Sequence, residues 1–455
     1  MEVLRSNNSP CIEIAQFEEF DVQVTVKTDT EKKLKQNVNN KKFKVIRECL
    51  LRLLSSTISS KPIFCVDLQN EDGIAGLQWK KHFSSKINVL IAQNKELDAV
   101  KRNCQVSDFM WSEFNFSLER QPGDVQLKQK DDEVHICQCQ PNVLLHLEAF
   151  DFIFLQPEGH MTNYFDSVFS NLRNDGLLCL SSSDISIQFT RTANVIRRYC
   201  HAHVMKTDYM REMAVRVIIG CAVRSASRCN KGLNVLLSAC IEDTFLIVLK
   251  VCRGPQNADK SLNQIKEQLH CQICEERCFL PGGLTPVENP YSLLPCSCHE
   301  EVPGRTAVVL GPMWSGKILD ATYISNLLKP SDKLPVLSEQ LKKVLLTVQE
   351  EAICSDSDFS ETVETLWCDT EPVSKKPKLC VSKDASIDHP PFYINIHKRR
   401  FKDVTIPKMR KLLSFLRSEG YRASRTHFDP YSVRTSANLT QFHNVLLKHC
   451  KKNKQ

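Results

Sequence analysis

The chain has 455 residues, 42% hydrophobic and 25% charged, with a formal net charge of +7. That length allows roughly two to four domains with a sizeable core, and the composition excludes the fibrous and wholly disordered classes. No apolar run approaches the roughly 20 residues that cross a bilayer, and the leading MEVLRSNNSP is not a charged-then-apolar leader. Neither a membrane span nor secretion is therefore expected. The 21 cysteines lie mostly within apolar stretches, as at Cys65, Cys179, Cys221, Cys240 and Cys252, and read as small buried hydrophobes rather than disulfides.

Residues 1–40 are polar and read as an N-terminal extension, with enough alternation over 11–26 for a strand or two. Residues 43–54 (FKVIRECLLRLL) carry apolar side chains at helical spacing and open a domain predicted to run over 41–255. Next comes a βαβ pattern over 61–103. A strand at 62–66 ends at Asp67, a loop holds Gly73 and Gly76, and a second strand spans 87–92. Nucleotide-like cofactors are held this way, with backbone amides on the cofactor and an acid on its ribose hydroxyls. Only one glycine is well placed and the second strand ends in Gln93-Asn94, so a plain α/β element remains open here. Residues 104–149 carry an aromatic stretch, a polar loop at 121–133 and a return to the sheet from Val134.

The stretch over 150–184 organises the chain. Residues 150–155 (FDFIFL) form an apolar run with one acid, Asp151, as in a strand buried on both faces. Gln156-Pro157-Glu158-Gly159 breaks it. A helix follows with Phe165, Val168, Phe169 and Leu172 on one face, then a turn at Asn174-Asp175-Gly176 and a second strand at 177–180. This is a βαβ unit of a parallel sheet, whose ligands lie beyond the carboxyl ends of its strands. Chemistry is therefore expected at the turn over 156–159. Residues 186–228 turn helical, and 235–251 return to strand alternation that closes the sheet.

The region 256–329 has a different character. Cys271 and Cys274 form a C-x2-C knuckle, and Cys296 with Cys298 or His299 completes a tetrahedral zinc set, Cys278 being a spare candidate. Residues 330–389 read as an acidic, disordered linker; over 331–374 ten acids face three lysines. Lys375-Lys376-Pro377-Lys378 is a basic cluster of nuclear-import type, which points to the nucleus or nucleolus, with the cytoplasm as the alternative. From residue 391 onward 15 lysines and arginines face three acids, a net +12. An amphipathic helix over 406–419 closes at Gly420, and Arg422, Arg425, His427 and Arg434 interleave with Tyr421, Phe428 and Tyr431. Such a helix-plus-hairpin module over 390–455 suits a phosphate backbone, so a nucleic acid is expected as partner.

Taken together, these landmarks resemble the tRNA (guanine-N2)-dimethyltransferases, which act where the D stem meets the anticodon stem, and look closest to a divergent animal branch of them. The matching segments are residues 155–159 with Phe165-Asp166-Ser167, Gly176-Leu177-Leu178-Cys179 and Ser183-Asp184. They continue through residues 209–216 (YMREMAVR), Leu236-Leu237-Ser238, residues 311–316 (GPMWSG), Pro390-Pro391-Phe392-Tyr393 and residues 420–430. The resemblance implies a Rossmann-like α/β methyltransferase domain using S-adenosylmethionine. It also implies a smaller α+β RNA-binding domain with a zinc knuckle, and tRNA as partner.

Carried over residue by residue, the cofactor loop falls on Asp67 to Gly76, where Asp67 and Gly73 match. The ribose acid falls on Asn94, the acid near the adenine on Gln140, and the catalytic turn Asp-Pro-Tyr-Gly on Gln156, Pro157, Glu158 and Gly159. The family's N-terminal segment, with an Asn-Pro and an Arg that reaches the cofactor, has no counterpart in residues 1–50. Two functions remain open: a methyltransferase in which Gln156 and Glu158 position the guanine amine, and a tRNA-binding chaperone or scaffold without turnover. An amide accepts hydrogen bonds as a carboxylate does, and losing the charge costs on the order of 1 kcal/mol per bond, which weakens cofactor binding without forbidding it.

Overall fold

The computed structural model describes residues 13–28, 41–58, 61–68, 72–114, 133–183, 193–281, 289–302, 304, 306–331, 334–355, 390–397, 401 and 404–450. The chain divides into two compact units. The first comprises Met1–Ser183, Ser225–Asp259 and Ser325–Lys343, the second Asp184–Arg224, Lys260–Ile324 and Val344–Gln455. The units are discontinuous in sequence: residues 184–224, read within the 41–255 domain, fall in the second unit, and 325–343 fall in the first.

In the first unit the order is β1 (Glu13–Glu19), β2 (Val22–Thr28), α1 (Lys41–Thr57), β3 (Ile63–Leu68), α2 (Ile74–Phe83), β4 (Ile87–Gln93), α3 (Asp98–Val106) and β5 (Met110–Phe114). Then come β6 (Glu133–Gln138), α4 (Pro141–Leu147), β7 (Phe152–Leu155), α5 (Thr162–Asn171), β8 (Leu177–Ser183), β9 (Lys231–Ile241) and β10 (Thr244–Arg253). Strands β3 to β10 form one eight-stranded sheet in the order β5-β6-β4-β3-β7-β8-β10-β9. The pairs from β5 to β8 are parallel, and β10 runs antiparallel between β8 and β9. Strands β3 and β7 are buried along almost their whole length, which is why each reads as a continuous apolar run rather than an alternation.

Helix α2 ties the two βαβ elements together. Its Trp79 is fully buried and meets Phe152 of β7 edge-on at 5.2 Å. Asp151, the one acid of the FDFIFL run, serves the opposite end of the sheet from the expected site. Its Oδ2 accepts from the Phe64 amide and from Arg173 Nη1, both at 2.8 Å. The apolar face predicted for α5 is the buried one, Phe165, Val168, Phe169 and Leu172 being at most 1% exposed. The orphan carbonyls at its end receive Lys231, whose Nζ donates to the oxygens of Phe169 (2.5 Å), Ser170 (3.1 Å) and Leu172 (2.9 Å).

The N-terminal residues are less of an extension than expected, because the β1–β2 hairpin is docked by specific bonds. Glu19 takes Arg47 of α1 through both oxygens at 2.6 and 2.8 Å, and Asn103 Oδ1 takes the amide and hydroxyl of Thr25 at 2.8 Å each.

The remaining helices are α6 (Ala193–Cys200), α7 (Met210–Arg228), α8 (Pro255–Leu262), α9 (Cys298–Glu301), α10 (Ala321–Leu327), α11 (Glu339–Cys354), α12 (Met409–Ser418) and α13 (Leu439–His449). The strands of the second unit are β11 (Ile265–Cys271), β12 (Arg277–Phe279), β13 (Ala307–Trp314), β14 (Ile394–Asn395), β15 (Ala423–Arg425) and β16 (Ser432–Thr435). They form two three-stranded sheets, β12-β11-β13 and β14-β16-β15. The expected amphipathic helix is α12, with Gly420 beyond it at φ +85°, and the expected hairpin is β15–β16.

One expectation is overturned. Residues 339–354, assigned to the linker, are helix α11, with Leu341, Leu345, Val348 and Ala352 buried along one face. Residues 356–389, with the Lys375–Lys378 cluster, lie outside the described residues. Among the described residues no helix is long and apolar enough to cross a membrane.

Candidate active site

In the sheet order, connections run outward from β3 through β4 to β6 on one side and through β7 to β8 on the other. The reversal between β3 and β7 is a topological switch point, so the crevice for a ligand opens beyond the carboxyl ends of these strands. The expected residues converge on that edge. Asp67, near the end of β3, is fully buried, and its Oδ2 accepts the Gly76 amide at 3.0 Å, which fastens the loop to α2. Gly73 caps α2 at φ +62°, a conformation that disfavours other residues. A Cβ on Gly76 would sit 2.7 Å from Ile91 Cγ1, so α2 packs against β4 at glycine distance.

Gln156 follows β7 directly. Its amide donates to the Leu68 oxygen at 3.2 Å, so the turn begins pinned to the end of β3. The turn is fixed at its far side by Tyr164, whose hydroxyl donates to the Glu158 carbonyl at 3.0 Å, and by Gly159 at φ +77°. Asn94 and Lys95, just past β4, both reach Glu158. Asn94 Nδ2 donates to Oε2 at 3.2 Å and Lys95 Nζ sits 3.1 Å from Oε1. The Asn94 amide and then the Lys95 ammonium hold this carboxyl below its usual range. Gln140 is exposed where β6 passes into α4, and the Cys139 amide bonds to the Gln93 oxygen at 3.0 Å, joining the ends of β6 and β4. Asp67, Gly73, Asn94, Gln140, Gln156, Pro157 and Glu158 therefore share one edge of one sheet.

This set suits S-adenosylmethionine. A sulfonium needs a nearby negative charge and a ribose needs hydroxyl acceptors, and the edge offers the Glu158 carboxylate beside the side-chain amides of Asn94, Gln140 and Gln156, over the buried charge of Asp67.

The metal candidates also converge. Cys271, Cys274, Cys296 and Cys298 place their sulfurs within 4.8 Å of one another. A tetrahedral zinc with bonds of ~2.3 Å needs sulfurs about 3.8 Å apart, a small contraction. Cys271 ends β11, Cys274 lies in the turn to β12, and Cys298 opens α9. The spare candidate Cys278 is not in this group, and the His299 ring instead stacks on Tyr291 at 5.4 Å.

The four residues expected on the RNA face separate. Arg425 is exposed on β15 and Arg422 is half-buried. Arg434 is 1% exposed, held by Glu212 and Glu351 at 2.7 Å each and by the Pro390 oxygen at 2.8 Å. His427 sits with its Nδ1 2.5 Å from Glu351. Neither of these two presents charge to solvent, and a phosphate role for Arg434 and His427 is corrected to a structural one. The acids that hold them escaped the sequence reading, although Glu212 lies within one of the matching segments.

A parallel sheet with a switch point between β3 and β7, an acid near the end of β3 and an antiparallel hairpin at its edge define a Rossmann-like methyltransferase fold. The comparisons narrow this. A family model described as "N2,N2-dimethylguanosine tRNA methyltransferase" matches residues 15–377. The chain is 35% identical to the tRNA (guanine(27)-N(2))-dimethyltransferase of Rattus norvegicus over 90% of its length and 60% of that protein's. It is 34% identical to the Macaca fascicularis enzyme of the same name, over 98% of this chain and 68% of that one. The solved Trm1 of Pyrococcus horikoshii with S-adenosyl-L-methionine superposes with a TM-score of 0.66 at 19% identity, covering 96% of this chain and all of that one. The chain belongs to the N2,N2-dimethylguanosine tRNA methyltransferase family. It spans only 60% to 68% of the length of the vertebrate relatives.

Proposed function

We propose that this protein methylates the exocyclic N2 of a guanine in tRNA, at the junction of the D stem and the anticodon stem, using S-adenosylmethionine. Guanine 27, the position named for the vertebrate relatives, is the first to test. The observation that carries the reading is the placement of Asp67, Asn94 and Gln156 on one sheet edge, at the switch point. The cofactor supplies, when bound, an electrophilic methyl group on a sulfonium. Asp67, Gly73, Asn94 and Gln140 line its cleft, the buried Asp67 holding the loop by its bond to Gly76. Gln156 accepts a hydrogen bond from the guanine amine through its amide oxygen and so fixes the direction in which the nitrogen lone pair points. Pro157 keeps the turn rigid. The exposed Arg425 and the half-buried Arg422 take the phosphates, and the four cysteines hold zinc.

The test is titration with S-adenosylhomocysteine together with transfer of tritiated methyl to tRNA. Gln156→Ala should bind the cofactor within about threefold of the parent and lose about 100-fold in kcat, the scale of one positioning contact at a reacting centre. Full activity in that variant would remove Gln156 from its role. A parent protein that binds tRNA but no cofactor at millimolar concentration would leave a tRNA-binding scaffold in place of an enzyme.

A further inference from the structure

In folds of this kind the acid that takes the ribose hydroxyls follows the second strand of the first βαβ unit. Here that strand is β4, and Gln93 and Asn94 stand at its end. A carboxylate is nevertheless present at the place where an acid is missing. Strands β4 and β7 flank β3, so their ends lie two strand spacings apart, about 9–10 Å. Glu158, two residues into the β7 turn, crosses that gap to put Oε2 3.2 Å from Asn94 Nδ2 and Oε1 3.1 Å from Lys95 Nζ. Its side chain is 44% exposed, open to a ligand, while its backbone is fixed by Tyr164.

We propose that Glu158 is the ribose-binding acid of this protein, delivered across β3 from the β7 turn and oriented by Asn94 and Lys95. This rests on the proposed use of S-adenosylmethionine and moves Glu158 from the guanine to the cofactor. A carboxylate accepts through two oxygens and can take both hydroxyls of a cis-diol, which the single amide oxygen of Asn94 cannot. The Asn94 amide and then the Lys95 ammonium favour its ionised form, and the amide turns its oxygens toward the end of β4. Another acid close after β4 is Glu96, whose carbonyl accepts from Gln93 Nε2 at 3.0 Å and whose side chain is exposed. It serves as the comparison.

The experiment measures affinity by calorimetry for S-adenosylhomocysteine and for its 2′,3′-dideoxy analogue, which lacks the hydroxyls in question. Glu158→Gln should weaken the natural nucleoside about 10-fold and the dideoxy analogue less than twofold, with an unchanged melting temperature since the side chain is exposed. Glu96→Gln should leave both affinities within twofold. Asn94→Asp in the Glu158→Gln background should recover most of the loss, because it returns a carboxylate to the end of β4. Equal losses for both ligands, ribose dependence at Glu96 instead, or tighter binding by Glu158→Gln would each overturn the assignment; the last would make the bridge a latch that closes the crevice. Those results leave the methyltransferase reading standing. A parent protein that binds neither ligand at millimolar concentration would overturn both.

Discussion

A guanidinium held between two carboxylates and 1% exposed has no route to a phosphate. Arg434 was legible in the sequence as positive charge in a basic, aromatic hairpin, yet its burial was not. Its partners Glu351 and Glu212 lie 83 and 222 residues away, so no local spacing announces them. The same network joins several of the matching segments. Glu212 of residues 209–216 takes the Phe392 amide at 3.0 Å, and Arg216 donates to the Trp314 and Gly316 oxygens at 3.0 and 2.9 Å. Segments that carry the family resemblance thus meet as the charged core of the second unit. Burial alone would raise the Glu351 carboxyl, but Arg434 and His427 outweigh it and bring it from 4.5 down to about 2. Because the folded value is depressed, its contribution is complete above pH 4.5 and is lost as pH falls toward 2, on the order of 3 kcal/mol in all. Urea unfolding of the parent should therefore weaken steeply below pH 4.5. Glu351→Gln should cost about 3–5 kcal/mol at pH 7, since it removes one of the two buried carboxylates that hold Arg434, and should flatten that slope. Parallel slopes in the two proteins would show that Glu351 is not the titrating group.

At the scale of elements, periodicity was a good guide where one pattern filled the window and a poor one where composition was averaged. Helix α5 announced its core face at Phe165, Val168, Phe169 and Leu172. Helix α11 did not stand out, because an acidic balance over 44 residues concealed Leu341, Leu345, Val348 and Ala352, which fall at intervals of four, three and four. Spacing also located the cysteine cluster but left its fourth member open. Cys298 and His299 are adjacent in sequence, and only the start of α9 decides which faces the other sulfurs. If these four thiolates hold a metal, each chain should carry one zinc by elemental analysis, and Cys271→Ser should abolish it. Chelation should lower the melting temperature of the full chain by about 5 °C or more, because the metal closes the turn between β11 and β12 onto the segment before α9. Unchanged melting after verified metal removal would make the cluster a set of reduced thiols without a structural role.

For the whole molecule, the strongest signal in the sequence is the uneven distribution of charge, which the overall +7 conceals. From residue 391 the excess is +12, and folding removes Arg434 from the usable part of it. Lys448 is also committed, 2.7 Å from Glu419. What the described residues leave exposed includes Arg410 and Lys411 on α12 and Arg425 on β15, with Tyr431 60% exposed just before β16. Each contact with a phosphate releases a counterion, so affinity for tRNA should fall with salt in proportion to the number of contacts, with a slope near 0.9 per contact on duplex segments and about 0.7 on single strands. Arg410→Ala, Lys411→Ala and Arg425→Ala together should lower that slope by about 2 to 3 and weaken binding at 50 mM salt more than at 200 mM. The affinity for S-adenosylhomocysteine should not change, since the cofactor residues and these three cations belong to different units of the chain. A triple variant with the parent's salt slope would place the phosphate contacts elsewhere. A matching loss of cofactor affinity would instead mean that the substitutions had disturbed the fold, and the pair of measurements tells these outcomes apart.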